Sequence, residues 1–158
     1  MDAREQALDL FRRAYARQQA GDLEAAVHLY QASIAEHPTA EAHTFLGWVY
    51  SMQGRYHEAI VECKRAIAVD PTFGNPYNDI GVYLMQVGRS DEAVPWLRRA
   101  IAAPRYQAPH FPHMNLAKIH ESRGELVEAL VELTRATEKS PDVPEVVSSI
   151  RRLQGRVN

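Results

Sequence analysis

The chain has 158 residues, 46% of them hydrophobic and 24% charged, with a formal net charge of −2. That suffices for one domain with a sizeable core in an ordinary soluble balance, and it offers no basic footprint for nucleic acid or an anionic membrane. No apolar run approaches the ~18 residues of a membrane span, and Cys63, the only cysteine, excludes an internal disulfide. Met1–Gln6 is charged and lacks a signal-peptide core, so a cytoplasmic location is expected.

Asp2 predicts an N-cap for a first helix over about Ala3–Gln19, ended by Gly21. Leu23, Ala26, Val27, Tyr30 and Ile34 share one face of a second helix, Leu23–Glu36, which closes at Pro38. Thr39 caps a third helix running to Gln53 through Ala42, Leu46, Gly47, Val49 and Tyr50. A fourth, from about His57 to Val69, turns Ala59, Ile60, Cys63, Ala66 and Ile67 inward. Asn75–Pro76 reads as N-cap and first helical residue of a fifth helix to Val87. Pro95 is tolerated in a sixth helix only near its start, which places Asp91 at the N-cap and the helix over about Glu92–Ala102.

Three prolines then interrupt residues 104–112, where Tyr106, His110 and Phe111 are expected on display on a stiff, irregular segment. A seventh helix is expected over about His113–Arg123 and an eighth over about Val127–Lys139. Asp142 and Glu145 suggest a capping box for a last helix reaching about Gln154, with Val146, Val147, Ile150 and Leu153 as its apolar stripe and Arg151 and Arg152 facing water.

These helices repeat. Glycines at Gly21, Gly54, Gly88 and Gly124 are spaced by 33, 34 and 36 residues, and Ala26, Ala59, Ala93 and Ala129 keep the same steps. Ser33, Ala66, Ala100 and Ala136 follow them, and Ala14, Gly47, Gly81 and Ala117 mark one small place in each odd helix. Glycine inside a helix costs about 1 kcal/mol against alanine, so Gly47 and Gly81 imply close helix–helix approach. A period near 34 with helical spacing inside it predicts a stacked helix-pair solenoid. Arg13 and Arg17 stand where later repeats hold apolar or aromatic residues, as suits a terminal repeat.

Chemistry-bearing residues are sparse. His113 and His120 share one face with His110 near, but zinc needs three or four converging ligands and Cys63 lies far off in a core place. No metal, cofactor or catalytic site is expected, since phosphate loops, HExxH and GxSxG patterns are all missing. Glu58 and Glu62 read as helix-start or water-facing residues, and Glu62 and Glu132 as partners in weak surface pairs with Arg65 and Arg135. Lys64, Arg65, Arg98, Arg99, Arg151 and Arg152 read as a solvated convex face.

The pattern resembles the tetratricopeptide repeat family. The resemblance implies an all-α, right-handed solenoid of four antiparallel helix pairs plus a C-terminal capping helix. It implies one domain over 1–158, with repeats at about 7–39, 40–73, 74–109 and 110–143 and a cap over about 143–155. It further implies a non-enzymatic adaptor or scaffold that binds a peptide segment or partner protein in its concave groove. The residues matching groove places are Phe11, Tyr15, Thr44, Trp48, Asn78, Val82, Met85, Met114, Asn115 and Lys118. The aromatics and methionines would form an apolar platform, and Asn78 and Asn115 would read a peptide backbone. The carboxylate clamp of one family branch is absent, because its places hold Phe11, Tyr15, Phe45, Asn75 and Asp79. A self-assembling scaffold, and so a homo-oligomer, is the alternative, together with a small secretion-type chaperone, to which length and the proline-rich entry to the last repeat are also similar.

Overall fold

A computed structural model describes Met1–Asn158 as nine α-helices: α1 Ala3–Gln19, α2 Leu23–Glu36, α3 Ala40–Met52, α4 Tyr56–Val69, α5 Asn75–Gln86, α6 Ser90–Ala102, α7 His110–Ser122, α8 Leu126–Lys139 and α9 Pro144–Val157. Each odd helix from α1 to α7 packs against the even helix that follows, each pair packs on the next, and α9 lies on α8. The result is an all-α helical-repeat solenoid.

One local device sets the period. Gly21, Gly54, Gly88 and Gly124 all have φ between 74° and 81°, the left-handed region that favours glycine. In each case the residue after the glycine donates to a carbonyl five residues back: Asp22 to Arg17, Arg55 to Tyr50, Arg89 to Leu84 and Glu125 to His120. These are Schellman closures of the odd helices. The donating residue also caps the next helix, its carbonyl accepting from Ala26, Ala59, Ala93 or Ala129. Because closure and cap are joined, α4, α6 and α8 begin at Tyr56, Ser90 and Leu126, one or two residues before the expected starts. Pro95 therefore sits in the second turn of α6, with its ring toward solvent.

Other starts also differ from expectation. Pro144 holds Val143 extended (φ −86°, ψ 110°), so Val143 is the N-cap of α9 and the expected Asp142–Glu145 capping box does not form. Asn75 is the first residue of α5 and not its cap, because Gly74 begins the turn with its N–H on the Arg105 carbonyl at 2.9 Å. α7 starts at His110, so Pro109 and Pro112 lie where no helical donor is needed. By contrast, Asp2 and Thr39 cap α1 and α3 through their side chains, with Glu5 completing a capping box at Asp2.

Two cores result. The larger runs through α1 to α7, from Ala14 and Tyr30 to Leu116 and Ile119, and includes Cys63. The smaller joins Met114, Ala117, Ala129, Leu133 and Ala136 to Val146 and Leu153 of α9. Val147 is turned outward instead of joining the stripe, and Arg152 reaches back with Arg156 to the Glu121 carboxylate of α7. Close approach is required at the helical glycines. A Cβ on Gly47 would stand 3.0 Å from the Ala59 carbonyl oxygen, and one on Gly81 would stand 2.5 Å from Leu97.

Between paired helices lies a layer that alternates in chemistry. His43 Nδ1 and Glu62 meet at 2.7 Å, and His113 Nδ1 and Glu132 at 2.8 Å, all buried. The repeat between them holds Tyr77 and Trp96, ring centroids 6.3 Å apart and both under the Arg99 guanidinium. Glu62 and Glu132 are thus buried partners of histidines and not water-facing residues, although Arg65 and Arg135 do reach them from the surface. Arg98 of the preceding repeat adds a 2.6 Å contact to Glu132. Burial alone would raise the Glu132 carboxyl, but His113 and Arg98 outweigh it and hold it at about 2.

Candidate functional site

The odd helices line the inner face, where α3, α5 and the start of α4 surround a hollow of about 480 Å³. Thr44, Trp48 and Ser51 come from α3 at helical spacing, and Asn75, Asp79, Val82 and Gln86 form the matching stripe on α5. Phe45, Tyr56 and Tyr83 supply aromatic walls, with the two tyrosine rings 6.1 Å apart.

Trp48 is 41% exposed, its ring edge-on to Phe45 at 5.8 Å. Phe45 is the hub of a cluster: Phe11 lies 5.0 Å away, Tyr15 5.9 Å and Tyr30 6.2 Å. Thr44 is buried and donates to the Ala40 carbonyl at 2.7 Å. Phe11 and Tyr15 therefore extend the aromatic wall from α1, while Thr44, Trp48 and Val82 border the hollow itself.

The other expected groove residues lie elsewhere. Asn115 donates from Nδ2 to Oδ1 of Asn78 at 3.0 Å, and both side chains are buried, so neither is open to a peptide backbone. Met114 belongs to the small core under α9, and Met85 packs partly buried against the large one. Lys118 is exposed at the far end, in a recess of about 50 Å³ with Glu121 and Arg152.

Asp79 is the one charged side chain around the hollow, and the register that places Asn75 and Val82 there would have found it. It is part-buried on the α5 wall, and burial raises its carboxyl to about 7, opposed only by a bond from Asn78. Tyr56 reaches the hollow from the start of an even helix, a position for which repeat register holds no signal.

The proline-rich segment is tied down beside this face. Arg105 donates its N–H to the Thr72 carbonyl at 3.0 Å, bridges to Asp70 at 2.8 Å and Glu41 at 2.9 Å, and covers the Phe73 ring. Tyr106 lies against Gly74, where a Cβ would come within 2.6 Å of its ring. His110 stacks on Phe111 at 4.3 Å and meets Ser140 Oγ at 3.1 Å. Of the three aromatic-type residues expected on display, only Phe111 is largely exposed.

No group of three histidine, cysteine or acidic residues is placed to hold a metal ion. No helix is long and apolar enough to cross a membrane.

Comparison with known proteins bears on the fold. No curated protein sequence matches the chain. Among solved structures, Pseudomonas aeruginosa PilF superposes with a TM-score of 0.88 at 20% identity, over 98% of this chain and 70% of its own. PilW, described as a type IV pilus biogenesis factor, gives 0.82 at 18% over 94% and 68%. YrrB, described as a tetratricopeptide repeat protein with an unusual peptide-binding site, gives 0.68 at 21% over 96% and 78%. At these identities the likeness is one of fold. The family profile described as tetratricopeptide repeat matches residues 5–72 and 78–144, the span carrying the four glycine closures and the paired helices, and the chain belongs to that family.

Proposed function

We propose that the protein is a non-enzymatic interaction module that binds a peptide segment or partner protein in the hollow between α3 and α5. The carrying observation is Trp48, a large ring left 41% exposed on the inner face beside the similarly exposed Tyr15, while Phe11, Tyr30 and Phe45 pack behind them against the core. Large amphipathic rings beside a hollow are the usual anchors of protein recognition. The family's general role in protein interaction, and the peptide-binding site for which YrrB is described, support the reading. In this proposal the whole chain works as one binding domain, in the cytoplasm, without a cofactor.

The test compares capture from the source cell's lysate by the native protein and by Trp48→Ala. A protein retained by the first and lost by the second, with both melting within a few degrees, supports the groove. Equal capture places the working surface elsewhere.

A further inference from the structure

The hollow contains a carboxylate that the fold does not match. Its other buried acids are all paired: Glu62 with His43 and Arg65, and Glu132 with His113, Arg98 and Arg135. Asp79 has no cation near it; burial and the Asn78 amide alone set its environment. The titratable groups that feel its charge are Cys63 of α4, Tyr83 of α5 and Tyr106 of the proline-rich segment, each pushed upward and therefore neutral. From α3 and the start of α4 only Thr44, Phe45, Trp48, Ser51 and Tyr56 face the hollow, and none is a cation. A partly desolvated, unpaired carboxylate is unfavourable, and an incoming cation would relieve it. The surrounding rings suit a guanidinium or ammonium as well, because aromatic faces attract cations.

Resting on the groove reading above, we propose that the hollow selects a protein segment presenting an arginine or lysine beside an apolar residue. The cation pairs with Asp79, and the apolar neighbour packs on Trp48 and Val82.

A short-peptide array whose central residue is Arg, Lys, Leu or Glu, with leucine beside it, provides the probe. Native protein is expected to favour the Arg- and Lys-centred members. In solution, the best of these should lose about tenfold or more in affinity with Asp79→Asn, the scale of a hydrogen bond to a charged partner. The Leu-centred analogue should bind both proteins alike. Affinity for the Arg-centred peptide should rise between pH 6 and 8 for the native protein and stay level for Asp79→Asn. Asp79→Glu should retain the cation preference, and Glu128→Gln, on the exposed surface of α8, should change nothing. Trp48-dependent binding with no preference among Arg, Leu and Glu would overturn the charge selection while leaving the groove reading intact. Absence of any Trp48-dependent binding across the array would overturn both. Should Asp79→Asn fail to fold, native selectivity, its pH profile and Asp79→Glu still decide the matter.

Discussion

Between α3 and α5 the inner face is open around a hollow of about 480 Å³, with Trp48 exposed above it. One repeat on, between α5 and α7, the wall is shut by the Asn78–Asn115 hydrogen bond, and beyond it α9 covers Met114 and Leu133. The backbone frame is the same in both halves. Thr44 and Phe45 occupy the places of Asn78 and Asp79 one repeat later, and of Met114 and Asn115 two repeats later. Two side chains per odd helix thus decide whether neighbouring helices leave room for a guest or bond to each other. A solenoid can localise its binding face in this way without changing its architecture.

The largest way to break this contrast is to reopen the closed end. Removing Pro144–Asn158 uncovers Val146 and Leu153's partners in the small core, at about 1.5–3 kcal/mol per apolar side chain lost, so about 5 kcal/mol in all. A lower melting temperature should follow, with amide protection lost in α7 and α8 and retained in α3 and α4. Unchanged melting would show that α9 is no cap.

Next in size is Glu132→Ala, which leaves His113 buried without its partner and should cost about 3–5 kcal/mol. The same pair sharpens the contrast through pH. Because the Glu132 carboxyl is held at about 2, below its ordinary 4.5, its stabilisation is complete above pH 4.5 and vanishes as pH falls through 2. Thermal melts across that window should show a loss in the native protein that is smaller in Glu132→Ala, where only the other low-held carboxylates, Asp70, Glu92 and Glu121, still contribute.

A smaller loss is expected for Asn78→Ala, about 1–3 kcal/mol, because it strands the buried Asn115 amide. The smallest effect on stability belongs to Trp48→Ala, about 1 kcal/mol or less by urea unfolding for a ring already half in water. Binding should reverse the order: Trp48→Ala should lose ~2 kcal/mol or more, as interface anchors do, and Asn78→Ala little. Partner titration with both variants checks the reversal.

The repeat frame was readable because it rests on local chemistry. Gly21, Gly54, Gly88 and Gly124 are demanded by a left-handed residue at each closure, and Gly47 and Gly81 by contact with the following helix. Register alone likewise sets Thr44, Trp48 and Val82 on one face, and they do border one hollow. Pairings across the stack were not readable. Glu62 and Glu132 each precede an arginine by three residues, which mimics a surface pair, while their histidines lie 19 residues upstream on another helix. Asn78 occupies an inner-face place, yet its partner is 37 residues away on α7. Asp79 belongs to the same class, because its significance lies in the partner it lacks.

Arg105 changes how the molecule should respond to being pulled. A chain of stacked repeats stretched from its ends normally yields like springs in series, each carrying the full load. Here the Thr72–Arg105 and Gly74–Arg105 hydrogen bonds and the Asp70 bridge join the two ends of a loop that contains all of α5 and α6. Tension entering at either terminus can pass directly across that rivet, and the third repeat hangs outside the line of force. The wall of the hollow that α5 provides is then mechanically sheltered while the outer repeats bear the strain.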